Sequence, residues 1–289
     1  MDVLQPTDLA EALELKAAHP GAVPLAGGTD VMVELNFDRR RPGAIIDLTR
    51  VPELDGWSSD EGRVRLGAGV TFTRVIDELG ELLPGLALAS RTVGSPQIRN
   101  RGTIGGNLGT SSPAGDALPP LMAAGAEVEL ASTRGTRRLT LDEFLVGPKR
   151  NVAEPDELIV AVHVPEATGA QQFSKIGTRN AMVIAVAAFA VCIDEAARAV
   201  RTGIGSAGPT ILRAAEAESF ITSALEEGGL WESRAPLLAP TLERFGQLVA
   251  RAARPIDDVR GTADYRRHAL GVMARRTLMW AWNDHARSA

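Results

Sequence analysis

Two short stretches of the chain, Ala26-Gly27-Gly28-Thr29-Asp30 and Thr103-Ile104-Gly105-Gly106-Asn107, each carry a Gly-Gly pair followed by a hydrogen-bonding side chain, with Gly27 and Gly105 78 positions apart. A Gly-Gly pair lets main-chain N–H groups approach an anion without a Cβ in the way, and it tolerates the positive φ that points consecutive amides into one concavity. In a chain with 29 glycines, either stretch alone reads as a turn. Together they read as two sides of a grip on a diphosphate, which suits FAD, whose middle is a pyrophosphate.

Other chemistry is sparse. The single cysteine, Cys192, sits within an apolar run from Met182 to Ile193 and reads as a small core residue; one thiol cannot ligate an iron–sulfur cluster, which needs about four. His19, His163, His268 and His285 show no metal-ligand spacing, and no nucleophile stands with a base. Gly203-Ile204-Gly205-Ser206-Ala207-Gly208 matches G-x-G-x-x-G, with Glu226 and Glu227 near the distance of a ribose-binding acid. Pro209 follows the third glycine, where a dinucleotide-binding helix needs its N–H groups, and Phe220 to Leu225 reads as helix rather than strand, so a Rossmann site is not expected here. The triplet Arg39-Arg40-Arg41 reads as a solvated loop. Arg99 and Arg101, two apart, share a face if that segment is extended, and either screen the diphosphate or meet a partner chain.

The elements that must position these residues follow from length and pattern. The chain has 289 residues, 45% of them hydrophobic, and a net charge of −5, enough to bury substantial cores and with no basic field for nucleic acid. The longest apolar run, 12 residues, is short of the ~20 that span a bilayer. The N-terminal residues show no export signal, so the cytoplasm is expected. Asp8 to Glu11 forms a capping-box pattern opening a helix to about 18; a strand over 23–26, a helix near 30–37 and a strand over 44–48 follow. A hairpin is expected over 54–59 and 63–69, helices over 71–82, 85–91 and 117–124, and strands over 126–131, 137–140 and 157–164. Strands over 171–177, 182–194 and 200–206 then precede helices over 214–225, 242–253 and 265–286. The expected fold is α+β, divided at 1–55, 56–170 and 171–289.

The chain resembles the FAD-binding medium subunits of the molybdenum hydroxylases, the group containing carbon monoxide dehydrogenase and xanthine dehydrogenase. The resemblance rests on Leu25 to Asp30, Leu66 to Thr71, Ile98 to Asn107, Ser112 to Asp116 and Asp257 to Arg267. It implies two N-terminal α/β subdomains of the PCMH-type, non-Rossmann kind that hold FAD between them, and a C-terminal domain with a small antiparallel sheet and a helical bundle.

By that resemblance Leu25, Ala26, Gly27, Gly28, Thr29, Asp30 and Val31, and Ile98, Thr103, Ile104, Gly105, Gly106 and Asn107, belong to the cofactor site, with Thr29 and Asn107 as side-chain donors. Ser111 and Asp116 would touch the ribityl or phosphate portion, Asp116 alternatively capping the helix after it. Val93 and Ile159 would flank the flavin ring, where animal xanthine oxidoreductases carry an aromatic residue at the position of Val93; their ordinary role is core. Lys175 would stand at the ring edge, where a cation raises the midpoint potential by favouring the reduced anion; its alternative is a solvated strand-end lysine.

The resemblance also implies partners: an iron–sulfur small subunit that delivers electrons, a molybdopterin large subunit that hydroxylates, and an (αβγ)2 heterohexamer that passes electrons to NAD+, O2 or a quinone. The exposed FAD-domain faces and the last helix, with Trp280 and Trp282, are candidate contact surfaces; at i, i+2 the two indoles point to different faces, so at least one is expected in the core. The rival readings are a self-contained FAD oxidoreductase, which needs a general base over the flavin, and a binding module that has lost FAD, which a yellow preparation would rule out.

Overall fold

In the computed structural model, residues 1–287 are described; positions 288 and 289, the end of the expected 171–289 region, lie outside them. Three sheets of three to five strands occupy successive parts of the chain. The first is built from β1 (Asp2–Leu4), α1 (Leu9–Ala18), β2 (Val23–Leu25), α2 (Val31–Asn36) and β3 (Ala44–Asp47), with the strands parallel in the order β1-β3-β2. Asp8 caps α1 by accepting from the Glu11 amide at 2.8 Å, while the Glu11 carboxylate takes the amide of Thr7 at 2.7 Å, one residue before the capping-box position. The buried Lys16 ammonium ties off the other end by donating to Pro20 O and Ala22 O at 2.9 and 2.8 Å.

The second part runs β4 (Trp57–Asp60), β5 (Arg63–Gly67), α3 (Phe72–Glu78), α4 (Pro84–Ser90), α5 (Pro96–Arg99), α6 (Ile104–Thr110), α7 (Leu118–Ala124), β6 (Glu127–Ser132), β7 (Gly135–Thr140), α8 (Leu141–Phe144), β8 (Leu145–Gly147), β9 (Arg150–Asn151) and β10 (Leu158–Pro165). Five strands form an antiparallel sheet in the order β4-β5-β10-β6-β7, and β8 pairs only with β9. Val64, Leu66, Val128, Leu130, Val162 and Val164 alternate inward from β5, β6 and β10, burying themselves against Ile104, Leu108, Leu118 and Leu121 of α6 and α7. At about 1.5–3 kcal/mol for each fully buried aliphatic side chain, this layer fixes α6 against the sheet.

The third part holds β11 (Gln171–Ile176), β12 (Ala187–Asp194) and β13 (Ala199–Gly205), an antiparallel sheet, followed by α9 (Ala215–Glu227), α10 (Leu230–Ser233), α11 (Ala239–Ala252) and α12 (Ala263–Arg287). Its core joins Phe189, Phe245, Leu270, Leu278 and Trp282. Trp282 is buried and donates to Ala235 O at 2.8 Å, whereas Trp280 is 44% exposed, so one indole of the pair is core.

Several boundaries differ from the sequence pattern. The strand expected from Met182 begins at Ala187, because β11 ends with the pair Ile176–Ala187 and offers no partner beyond it. The first strand of the hairpin starts at Trp57, Leu54 lying in a 3-10 turn, and the helix expected over 71–82 stops at Glu78. Strand β1, the turn of helix α5 and the β8–β9 hairpin carry no periodic signal long enough to mark them. The first half of the G-x-G-x-x-G match, Gly203 to Gly205, ends β13, where a Cβ on Gly203 would sit 2.0 Å from Pro119 O and one on Gly205 2.9 Å from Pro119 Cγ; these two glycines serve the close approach of α7 to the sheet.

Candidate cofactor site

Leu25 ends β2, the chain turns through Ala26 to Asp30, and α2 begins at Val31. Gly28 takes φ +75°, a conformation glycine adopts without strain. Among the described residues the amides of Gly27, Gly28, Thr29 and Asp30 donate to no group of the chain. Four consecutive unspent donors in a half-buried turn are what an anion requires. The turn is held from both sides. Gly27 lies against the main chain of Arg101, where a Cβ would come within 1.8 Å of the carbonyl oxygen, and Asp30 accepts from Thr110 Oγ1 at 2.7 Å.

The second glycine stretch is built differently from the expected cradle. Its residues open α6, with Thr103 as N-cap, and the four amides after the cap are already spent: Ile104 donates to Val70 O at 3.0 Å, Gly105 to Ala68 O at 2.9 Å, Gly106 to Thr103 Oγ1 at 2.9 Å and Asn107 to Thr103 O at 3.0 Å. Gly105 is glycine because α6 packs on Ala68, whose Cβ would meet a Cβ there at 2.5 Å. Beside its Thr110–Asp30 contact with the first turn, α6 leaves a nearly bare surface at Gly106 and Gly109, the latter next to Ile159 Cδ1, while the Asn107 side chain lies against Gly115 and its buried Oδ1 has no hydrogen-bond partner.

A second buried group adjoins Asn107. A Cβ on Gly115 would lie 3.0 Å from Asn107 Oδ1, and the next residue, Asp116, accepts from the Lys175 ammonium at 2.6 Å. Both side chains are 8% exposed. Lys175 also donates to Thr92 O at 3.2 Å, which places the pair beside Val93, and Thr92 Oγ1 lies 3.3 Å from the same carboxylate. Burial holds the Asp116 carboxyl above its ordinary range, and the Lys175 charge offsets only part of that. Asp116 Oδ1, like Asn107 Oδ1, is buried without a partner.

The other expected residues divide. Val93 and Ile159 pack partly buried on the second core, and β10 shifts register against β6 between Ile159 and Ala161, a bulge that interrupts the strand next to α6. Ile98 is partly exposed and packs against Gly94. The Ser111 hydroxyl is engaged by the chain itself, donating to Leu108 O at 2.6 Å and accepting from Asn151 at 3.0 Å, so Ser111 is first the C-cap of α6. Asp116 is not a helix cap, since α7 starts after Ala117 with no side-chain cap bond. Arg99 and Arg101 do not share an extended face: α5 and its closing turn hold them, with Arg99 donating to Val93 O and Gly94 O. Sequence reasoning missed Thr110 and Thr92; Thr110 lies one turn beyond Asn107 on α6, the signal that could have found it. A groove of about 560 Å3 between α4 and the end of α12 shares none of these residues.

The same layout recurs in known proteins. Residues 1–167 match the model for the FAD binding domain in molybdopterin dehydrogenase, and residues 172–281 that for the CO dehydrogenase flavoprotein C-terminal domain. The chain belongs to that family. The putative xanthine dehydrogenase FAD-binding subunit of Escherichia coli K12 is 32% identical to this chain over 280 residues, covering 93% of this chain and 92% of the relative. The nicotinate dehydrogenase FAD-subunit of Eubacterium barkeri is 34% identical over 250 residues, covering 82% and 84%. Carbon monoxide dehydrogenase from Hydrogenophaga pseudoflava, solved without the Mo-pyranopterin moiety of its molybdenum cofactor, superposes with a TM-score of 0.86 at 26% identity, covering 99% of this chain and 98% of that one.

The residues present fit FAD. Unspent amides at Gly27 to Asp30 suit the diphosphate, the bare α6 face admits a ligand backbone, and the orphaned Oδ1 atoms of Asn107 and Asp116 call for the donors that ribityl hydroxyls and a ring imide N–H supply. Among the described residues no cluster of three His, Cys, Asp or Glu side chains could hold a metal ion, and no helix is long and apolar enough to cross a membrane.

Proposed function

We propose that this flavoprotein is the electron-transfer subunit of a molybdenum hydroxylase complex, taking electrons from an iron–sulfur partner and passing them to an external acceptor such as NAD+, O2 or a quinone, with hydroxylation on a molybdopterin partner. FAD supplies the step between carriers that move one electron at a time and acceptors that take two. The chain's own residues bind and orient it. The Gly27–Asp30 amides hold the diphosphate, Asn107 and Asp116 accept from its polar groups, Val93 and Ile159 exclude water at the ring, and Lys175 lends positive charge that Asp116 partly cancels.

The observation that carries this reading is the pairing of unspent amides with two orphaned acceptors in a chain that offers no nucleophile–base pair among them. The relatives are FAD-binding subunits of dehydrogenases named for xanthine and nicotinate. The test is to purify the tagged chain alone and with its co-expressed partners. The chain alone should be yellow and oxidise no organic substrate, while in the complex its flavin should bleach when the iron–sulfur partner is reduced. Turnover of an organic substrate by the single chain would overturn the reading.

A further inference from the structure

The charged stretch Asp257 to Arg267 supplies nothing to the cofactor site directly, yet it holds a deeply buried guanidinium. Arg266, on the first turn of α12, is 3% exposed. A charge taken out of water must be met by acceptors. Its Nη1 donates to Val186 O and Ser206 O, both at 2.8 Å, and its Nη2 to Asp258 Oδ1 at 2.6 Å. Asp258 is fixed in turn: it accepts from the Arg260 amide at 2.8 Å, and its backbone bridges to Gly261. One aimed side chain thus ties together three segments that are far apart in sequence.

Both carbonyls lead back to the Lys175–Asp116 pair. The Val186 amide donates at 2.8 Å to the carbonyl of Ile176, the residue after Lys175 on β11. The Ser206 amide donates at 2.7 Å to the carbonyl of Pro113, three residues before Asp116. Ser206 takes φ +59°, a left-handed conformation that a Cβ disfavours and that surrounding contacts must impose. Its hydroxyl is buried and has no partner among the described residues, so the conformation is held through the main chain, by the amide on Pro113 and the carbonyl under Arg266. The strand that carries Lys175 and the turn that carries Asp116 are therefore both braced against the same guanidinium.

We propose that Arg266 is a positioning residue for the Lys175–Asp116 pair. By holding Val186 and Ser206 it keeps the ammonium and the carboxylate opposed across the junction of the second and third parts of the chain, and so fixes how much of the Lys175 charge the flavin feels. This rests on the reading of the chain as an FAD-binding subunit with Lys175 near the ring. The role needs a planar fork, since one nitrogen spans two carbonyls while the other meets a carboxylate; a lysine ammonium keeps the charge and loses the fork. Arg266→Lys therefore separates position from charge.

The experiment has two readouts, both on the full-length chain. In the apoprotein, Arg266→Lys should speed amide exchange at Ser206 and Val186 at least about tenfold. In the FAD-loaded protein, the midpoint potential is measured for wild type, Lys175→Met, Arg266→Lys and the double variant. Lys175→Met should move the potential less than half as far in the Arg266→Lys background as it does alone, the non-additivity expected when one residue acts through another. Asp258→Asn, which weakens the bond that aims the guanidinium, supplies the same comparison where Arg266→Lys does not fold. Unchanged exchange at Ser206 and Val186, or equal shifts from Lys175→Met in both backgrounds, overturns the positioning role and leaves the functional reading intact. Loss of flavin from a folded Arg266→Lys protein overturns it too, by making Arg266 a determinant of cofactor binding. A potential that Lys175→Met alone does not move takes the lysine away from the flavin, and this proposal falls with that placement.

Discussion

Gly27 and Arg101 touch main chain to main chain: a Cβ on Gly27 would fall 1.8 Å from the Arg101 carbonyl oxygen. The contact sets the width of the cleft between the diphosphate turn and α6. Gly27→Ala should therefore push the turn away from Arg101 and weaken FAD binding at least about tenfold, some 1.4 kcal/mol, measured by flavin titration of the apoprotein. Undiminished affinity would show that the width of the cleft does not matter to the ligand.

Gly105→Ala acts through packing. Its Cβ would meet that of Ala68 at 2.5 Å and the Ala68 oxygen at 2.7 Å, so α6 must move off the sheet. Overpacking of this kind costs about 1–3 kcal/mol, and a denaturant melt of the apoprotein should show it. Flavin loss without a stability change would instead give Gly105 a direct role at the ligand.

Asn107→Ala separates binding from folding by the sign of its effect. The buried Oδ1 has no partner in the protein, so removing it relieves a desolvation cost of about 1–3 kcal/mol. The apoprotein should melt no lower than wild type while FAD affinity falls. A drop in both would make Asn107 a structural residue.

Lys175 and Asp116 should behave as a unit. Lys175→Met leaves a buried carboxylate unpaired, a loss of about 3–5 kcal/mol, and Asp116→Asn added to it should restore most of that stability. The single variant should also lower the flavin midpoint potential, and the double variant should lower it less, since the pair carries little net charge. Potentiometric titration separates the two; identical potentials in all three proteins would place the pair away from the ring.

Much of this architecture was legible in the sequence, and what was missed has physical causes. The cap at Asp8, the buried strands of the second sheet and the paired glycines follow from local chemistry and periodicity. The state of the amides at Ile104 and Gly105 does not, because it depends on Val70 and Ala68, more than thirty residues earlier, reaching α6 across the fold. Apolarity alone extended a strand back to Met182, yet that residue takes φ +50° and Ile184 is exposed, for want of a pairing strand. The Lys175–Asp116 pair joins residues 59 apart, a contact that no spacing rule reveals.

His285 gives a pH signature to the C-terminal bundle. Its ring is 2% exposed beside Trp231 and Trp282, and burial, helped by the nearby Arg234 charge, lowers its pKa below the ordinary 6.5 against the opposing pull of Glu195. The folded protein holds this ring neutral while the unfolded chain takes up a proton. Stability should therefore fall as pH drops through 6.5 toward the lowered value, and His285→Phe should flatten that part of the stability curve. An unchanged slope in the variant would mean that other groups carry it.

Residue-resolved amide exchange with and without FAD probes the diphosphate turn itself. On adding FAD, the amides of Gly27, Gly28, Thr29 and Asp30 should slow at least about tenfold, while those of Ile104 to Asn107, already bonded within the chain, should change little. Saturating FAD that leaves Gly27 to Asp30 exchanging as in the apoprotein would contradict the assignment of that turn to the diphosphate.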